Sequence, residues 1–341
     1  VFSGFGFLND EAGFAVNDNF FLTYSPTSTN LQAFYVGIVN TLIVAITGIF
    51  FASVIGLIIG IARLSSNYLI RKMATVYIEI FRNIPILLQI LFWYSTALSV
   101  LPSTRNSMNF LDSVFLNSRG LFLPKFIIGT EFYLVLASFI IGIVTYVFIK
   151  KRSTKKHDET GIATNTIPHF LGLVVLLPIV AFFVFGAQLE YPALKGFNFQ
   201  GGTDLSIEFF SLAFALSIYT ATYIAEAIRS GIDSVDKGQK EAAAALGLRQ
   251  GQAMRLVVLP QALRVAIPPI INQYLNLTKN SSLATAVGYS ELVTIFSGTV
   301  LNVVGQAIEI IALTMLVYLT ISLFISLVLN IFNKKMEIKG K

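Results

Sequence analysis

The sequence predicts an all-α integral membrane protein that crosses the bilayer seven times. Three observations carry this. The 341 residues are 55% hydrophobic and 12% charged, where soluble domains carry about a quarter charged residues, and the mean hydropathy is +0.74. The apolar residues fall in runs long enough to cross the hydrocarbon core as helix. The basic residues gather beside those runs, which is the pattern that sets membrane orientation. The net charge of +6 is therefore read as a topology signal. With no cysteine and only two histidines, His157 and His169, disulfides and cysteine-based zinc sites are excluded and a His-rich metal site is disfavoured.

Residues 1–30 hold Asp10, Glu11 and Asp18 with no Lys or Arg, so they read as an extracytoplasmic segment. The first span runs from about Tyr35 to Ala62. Its Gly48, Ala52, Gly56 and Gly60 recur every fourth residue and form a small-residue ridge that lets another helix approach, most simply within this chain. The second span, about Met73 to Val100, is interrupted at Pro85. Glu79 and Arg82, three apart, are expected to pair along one helix face, either snorkelling at the cytoplasmic end or lying beside a pathway. Residues 101–126 are polar and read as an outer loop. A third span, about Phe132 to Ile149, ends in Lys150-Lys151-Arg152 and Lys155-Lys156, which marks that side as cytoplasmic. No aromatic residue interleaves these cations, so nucleic acid is not a partner.

The fourth span, about Ile167 to Ala187, returns to an outer loop, and the fifth, about Ile207 to Ile228, comes back in. There Glu226 and Arg229 repeat the acid-then-base spacing. The sixth, from about Val265, is kinked at Pro268-Pro269 and reaches Leu277. The polar cluster from Thr278 to Ser282 is expected to be irregular backbone. Residues 283–305, with Glu291, read as a short partly inserted helix and turn. The last span, about Ile308 to Phe332, ends at Lys334-Lys335, inside. An outer start without a signal peptide implies one more span upstream of Val1.

Between the fifth and sixth spans lies VDKGQKEAAAALGLRQGQAMRLVVLP, residues 235–260, too charged for lipid. Asp236 is the expected N-cap of a short helix, with Gln239 completing a capping box. Gly247 is the expected left-handed C-terminal residue. A second short helix is expected from Arg249 to Pro260, which lacks an amide donor. Val235, Ala242 and Leu246 form a stripe on the first helix, kept thin by four consecutive alanines. No GxxxxGK[ST] phosphate loop occurs, so if ATP drives this protein another subunit binds it.

The spacing Glu241-Ala242-Ala243, Gly247, Val257, Leu259-Pro260 resembles the EAA signature of ABC importer permeases, with Val257 where that family usually has Ile. FRNIPILLQ (Phe81–Gln89) and SIYTATYIAEAIRSGI (Ser217–Ile232) resemble stretches of its polar and general L-amino-acid uptake branch, which includes histidine/glutamine permeases. The chain looks most like the larger permeases of general amino-acid or glutamate/glutamine/aspartate/asparagine transporters, which carry extra spans. The resemblance implies a type I ABC importer transmembrane bundle with extra helices in the bacterial inner membrane. Its core would be residues 31–100 and 205–335, with 101–204 holding inserted outer loops, two extra spans and a basic cytoplasmic loop. Glu241, Ala242, Ala243, Gly247, Leu259 and Pro260 would couple to an ATPase. The implied partners are two ATP-binding-cassette subunits holding ATP and Mg, a periplasmic solute-binding protein, a second homologous permease in a heterodimer, membrane lipid and an L-amino-acid substrate. No cofactor is implied in this chain.

A zwitterionic substrate needs a group for its carboxylate and acceptors for its ammonium. Polar residues at depth supply candidates: Glu79, Arg82, Gln89, Thr220, Thr222, Glu226, Asn272, Asn276, Lys279, Asn280, Ser281 and Ser282. Lys279 is expected to hold the outer end of the sixth span through a carbonyl or carboxylate partner rather than to touch substrate. An ion-coupled secondary amino-acid transporter is the alternative, since it too uses broken helices and buried charges, but it has no need of an EAA loop. An enzyme is disfavoured: there is no HExxH or GxSxG and no convergent nucleophile.

Overall fold

The computed structural model describes residues 4–18, 20, 22–127, 129–161 and 165–336. Val1 and the side chains of His157, Lys334 and Lys335 lie outside what it describes. Among the described residues, six helices are long and apolar enough to cross a membrane, or seven if one bent pair counts as a span. The described residues pack as two units: one holds the chain up to Leu101, Ser118–Gly120 and the chain from Leu205 on, and the other Pro102–Asn117 with Leu121–Asp204.

In the first unit, helix α1 (Asn30–Arg63) starts at a capping box: Thr29 Oγ1 accepts from Gln32 N and the Thr29 N–H donates to Gln32 Oε1. Gly48, Ala52, Gly56 and Gly60 are all buried. The ridge is used within the chain, as its period implies. A Cβ placed on Gly56 would lie 2.7 Å from Ile224, and one on Gly48 would lie 3.1 Å from Leu277.

Helix α2 (Tyr68–Asn83), capped by Asn67 accepting from Leu69 N and Ile70 N, meets α3 (Ile86–Val100) at 103°. Pro85, with no N–H and extended backbone, ends one helix and opens the next. Gln89 folds back into this bend, donating to the Phe81 and Ile84 carbonyls at 2.8 and 2.9 Å. Carbonyls freed by the break thus find a donor without water. The expected Glu79–Arg82 pair does not form. Glu79 accepts from Asn83 at 3.3 Å, and the Arg82 guanidinium lies 5.4 Å over the Tyr223 ring.

Helix α6 (Ile207–Asp233) is the centre of this unit, with 72% of its most apolar window buried. Ser206 caps it by accepting from Phe209 N. After a short connection comes α7 (Lys237–Ala245), and then α8, continuous from Gln250 to Ala286. The expected stop at Pro260 is therefore corrected. A wide i→i+5 turn at Met254–Val258 precedes the proline and relieves its clash with the preceding turn, and Pro268 and Pro269 lie inside the same helix. The Thr278–Ser282 cluster is helical as well: α-helix to Asn280, then a 3₁₀ turn over Ser281–Ala286.

The turn after α8 is pinned to α1. Asn40 Nδ2 donates to the Ser290 carbonyl at 2.7 Å, and Tyr289 OH donates to the Asn40 carbonyl at 3.1 Å. A short apolar helix, α9 (Val293–Val304), follows, and α10 (Ala307–Met336) ends the described chain.

The second unit holds α4 (Thr130–Thr160) and α5 (Ile167–Val184). Helix α4 runs through Lys150–Lys156 without a break, so the basic residues lie on helix and not in a loop. Apart from a 3₁₀ turn at Thr104–Asn106, the polar stretches are not helical, a local departure from an all-α fold. They form short antiparallel pairs, Met108–Phe110 with Val114–Asn117, Lys125–Phe126 with Leu189–Glu190, and Ala193–Lys195 with Asn198–Gln200. Phe122 stacks on Phe199 at 4.6 Å, giving this small layer its own apolar centre.

Candidate functional site

Two helices build a polar cavity of about 320 Å³: α6 contributes Tyr219, Thr220 and Tyr223, and α8 contributes Gln273, Asn276, Lys279 and Asn280. The spacing explains the assembly. Tyr219 and Tyr223 are four apart, and Gln273, Asn276 and Lys279 recur every third residue, so each set lies on one helix face. The tyrosine hydroxyls are 2.9 Å apart, and Arg82 from α2 stacks behind Tyr223. Tyr77 of α2 also donates to the Ile218 carbonyl at 2.7 Å, which fixes α2 against this part of α6.

Among the described residues, no carboxylate lines the cavity. The Lys279 side chain is exposed, and among the described residues it has no ion pair, so the partner expected for it is not there. The lining therefore offers one cation, three side-chain amides and three hydroxyls, a set suited to a small anionic or zwitterionic solute.

Thr220, Asn276, Lys279 and Asn280 were candidates on sequence grounds and come together here. Tyr219, Tyr223 and Gln273 were missed. Their signal was available, since they fall on the same helix faces as the polar candidates. Other candidates go elsewhere. Thr222 is fully buried and donates to the Tyr219 carbonyl at 2.7 Å. Ser281 and Ser282 donate to the Thr278 and Lys279 carbonyls. Asn272 is exposed and outside the lining, Glu79 points to Asn83, and Gln89 serves the α2–α3 bend.

Glu226 belongs to a charge network at the end of α6. It lies 3.1 Å from Arg63 of α1 and 3.1 Å from Arg229, which reaches Asp233 at 2.7 Å. Asp236, just beyond, caps α7 by accepting from Gly238 N at 2.6 Å. The capping box with Gln239 does not close, and Gln239 instead lies 3.5 Å from Gln261. Gly247 has φ of +75°, the left-handed conformation that a glycine adopts without Cβ strain. On α7, Glu241 and Ala242 are exposed, Ala243 is 2% exposed, and Leu246 is 81% exposed. Of the expected stripe of Val235, Ala242 and Leu246, only Val235, just before the helix, is buried; Ala242 and Leu246 are exposed, and Ala243 takes the buried position on α7. Leu259 and Pro260 are exposed on α8.

The loop and the cavity share one helix. Gln250 at the loop and Lys279 at the cavity are joined by unbroken α8, a rod of roughly 45 Å at 1.5 Å per residue.

Comparisons with known proteins agree on what this architecture is. The sequence model of the family described as "Binding-protein-dependent transport system inner membrane component" matches residues 138–338. The chain is 50% identical over 338 residues to the General L-amino acid transport system permease protein AapQ of Rhizobium johnstonii, covering 98% of this chain and 84% of that one. It is 39% identical to the Glutamate/glutamine/aspartate/asparagine transport system permease protein BztB of Rhodobacter capsulatus, covering 99% and 86%. A solved structure titled "Crystal structure of an amino acid ABC transporter with histidines" superposes with a TM-score of 0.54 at 20% identity, over 89% of this chain and 94% of that one. The fold is that of a type I ABC importer permease, and the ion-coupled alternative is not favoured. The chain belongs to the family of binding-protein-dependent transport system inner membrane components, as a multi-pass permease subunit.

Proposed function

We propose that this subunit passes L-amino acids across the inner membrane, with the cavity between α6 and α8 holding the solute in transit. The observation that carries this is a polar cavity whose lysine, among the described residues, has no ion pair and no carboxylate beside it in the lining. The Lys279 ammonium takes the substrate carboxylate, the amides of Gln273, Asn276 and Asn280 fix its orientation, and the tyrosine hydroxyls accept from its ammonium. Neutral and acidic amino acids fit this lining better than cationic ones, which would meet Lys279 and the Arg82 behind Tyr223 without a counter-charge.

Coupling runs through the loop. Glu241, Ala242 and Leu246 face outward on α7, so they are free to seat in a groove of a cytoplasmic ATPase that binds ATP and Mg. Leu259 and Pro260 flank that contact. Displacement of the loop is transmitted by α8 to Lys279, because a continuous helix moves as a lever. The pathway is completed by a second permease, read as an unlike homologue. A periplasmic binding protein delivers the amino acid on the opposite side, and the C-terminus lies in the cytoplasm with the loop.

The test is uptake by proteoliposomes holding the whole transporter with its ATPase and binding protein. Lys279→Gln is expected to lower uptake about tenfold or more, the scale of a lost charge-assisted contact, and Lys279→Arg to keep part of it with altered substrate preference. Uptake and preference unchanged by Lys279→Gln would remove the lysine from the pathway.

A further inference from the structure

The end of α4 carries a feature that transport does not use. The apolar part of this helix, Thr130 to Ile149, covers about 30 Å, the thickness of the hydrocarbon core. Lys150, Lys151, Arg152, Lys155 and Lys156 follow on continuing helix, all exposed. They rise over about 9 Å, which places them in the headgroup layer rather than in free solution. Helices α4 and α5 each have only 6% of their apolar windows buried, which leaves apolar surface suited to lipid.

Among the described residues, the cations make few contacts within the protein. Arg152 lies 4.5 Å over the Phe148 ring, which keeps its guanidinium at the level where the apolar stretch ends. Lys155 lies 3.8 Å from Glu159 with both side chains largely in solvent, an exposed pair of small worth. Among the described residues, no other ion pair engages the five. Helical spacing puts Lys151, Arg152, Lys155 and Lys156 on less than half of the circumference. One headgroup can therefore meet several of them.

We propose that this helix end is a binding site for anionic phospholipid headgroups, which hold the α4–α5 pair at a set depth in the membrane. Charge complementarity selects the occupant. The headgroup of an anionic lipid lies in the same layer as the cations and bears a net negative charge, whereas in phosphatidylcholine the choline ammonium offsets the phosphate. Each near-surface Lys or Arg favours such a lipid by about fivefold, and the attraction weakens with salt. The site does not depend on which solute the transporter carries.

The chain has no cysteine, so Ser153→Cys gives one labelling position within the cluster. The assembled transporter, labelled there with an environment-sensitive fluorophore, is reconstituted in phosphatidylcholine vesicles containing a minor fraction of brominated phosphatidylglycerol or brominated phosphatidylcholine. Quenching by the anionic lipid is expected to exceed that by the zwitterionic one by roughly threefold or more, and to fall at high salt. Replacing all five cations with glutamine is expected to abolish the preference. Because that change also removes an orientation signal, Lys155→Gln with Lys156→Gln is the second variant. It keeps Lys150, Lys151 and Arg152 and is expected to retain an intermediate preference. Equal quenching by the two lipids in the wild type, or an unaltered preference in the double variant, would overturn the proposal.

Discussion

Replacing Glu291 by glutamine tests how the turn between α8 and α9 is held. The carboxyl is fully buried, and its two oxygens divide the available donors between them. Oε1 accepts from Thr294 N at 2.8 Å and Thr294 Oγ1 at 3.1 Å, while Oε2 accepts from Val293 N at 2.9 Å and Tyr318 OH at 2.8 Å. Thr41 Oγ1, which accepts from Leu292 N, lies 3.5 Å from Oε2. One carboxyl thus joins α1, the start of α9 and α10. Glutamine has nearly the same shape but turns one of the oxygens into a donor. Whichever way the amide is placed, one backbone N–H, of Val293 or of Thr294, faces an NH₂ group. Hydroxyls can rotate to accept, but a backbone N–H cannot. An orphaned buried donor costs about 1–3 kcal/mol, and loss of the charge on the remaining bonds adds to it. At roughly 2–4 °C per kcal/mol, as for large domains, the thermal transition of the purified transporter in detergent should fall by about 2–12 °C. Tyr318→Phe alone should cost less, and the two changes should be non-additive because they share a bond. A Glu291→Gln protein as stable as wild type would refute the reasoning. It would mean that the carboxyl is already neutral and hydrogen-bonded as an acid, or that the Val293 and Thr294 amides have other acceptors.

Two further outcomes follow from close approaches and backbone conformation. Gly56→Ala puts a methyl 2.7 Å from both Cβ and Cγ2 of Ile224 and 3.1 Å from the Ala221 carbonyl, atoms fixed to the α6 backbone, and should cost about 1–3 kcal/mol by overpacking. Gly48→Ala meets the far end of the Leu277 side chain, its methyls at 3.1 and 3.3 Å and its Cγ at 3.6 Å, which can shift, so its loss in detergent thermostability should be clearly smaller; equal losses would show that α1 and α6 separate freely. Gly247→Ala meets nothing within 4 Å, so its cost comes from φ of +75° alone, about 1–2 kcal/mol. Asn at the same position should be tolerated better. The readout is ATP turnover coupled to uptake, and equal coupling in the Ala and Asn variants would show that the left-handed turn is not required.

What the sequence determined by itself is the local and the compositional. Apolar run lengths set the spans. Pro85 ended a helix because a missing N–H acts within one turn. Asp236 and Gly247 bounded α7 because capping and φ depend only on neighbouring residues. The Gly48–Gly60 ridge was legible because its period of four is a property of one helix. What only the tertiary structure decided is which partner each side chain takes when several compete. Arg82 leaves Glu79, three residues away, for the ring of Tyr223 on α6. A surface ion pair of that kind is worth little, so a cation–π contact of similar worth on the neighbouring helix competes with it. Gln89 turns from any pathway to the carbonyls exposed by the bend, since unsatisfied carbonyls in an apolar setting cost more than a lost solvent contact. Pro260 sits within a helix because a wide turn upstream makes room for its ring. Tyr219, Tyr223 and Gln273 become cavity walls only when α6 and α8 lie side by side. Periodicity marks a face, but only packing says what that face looks upon.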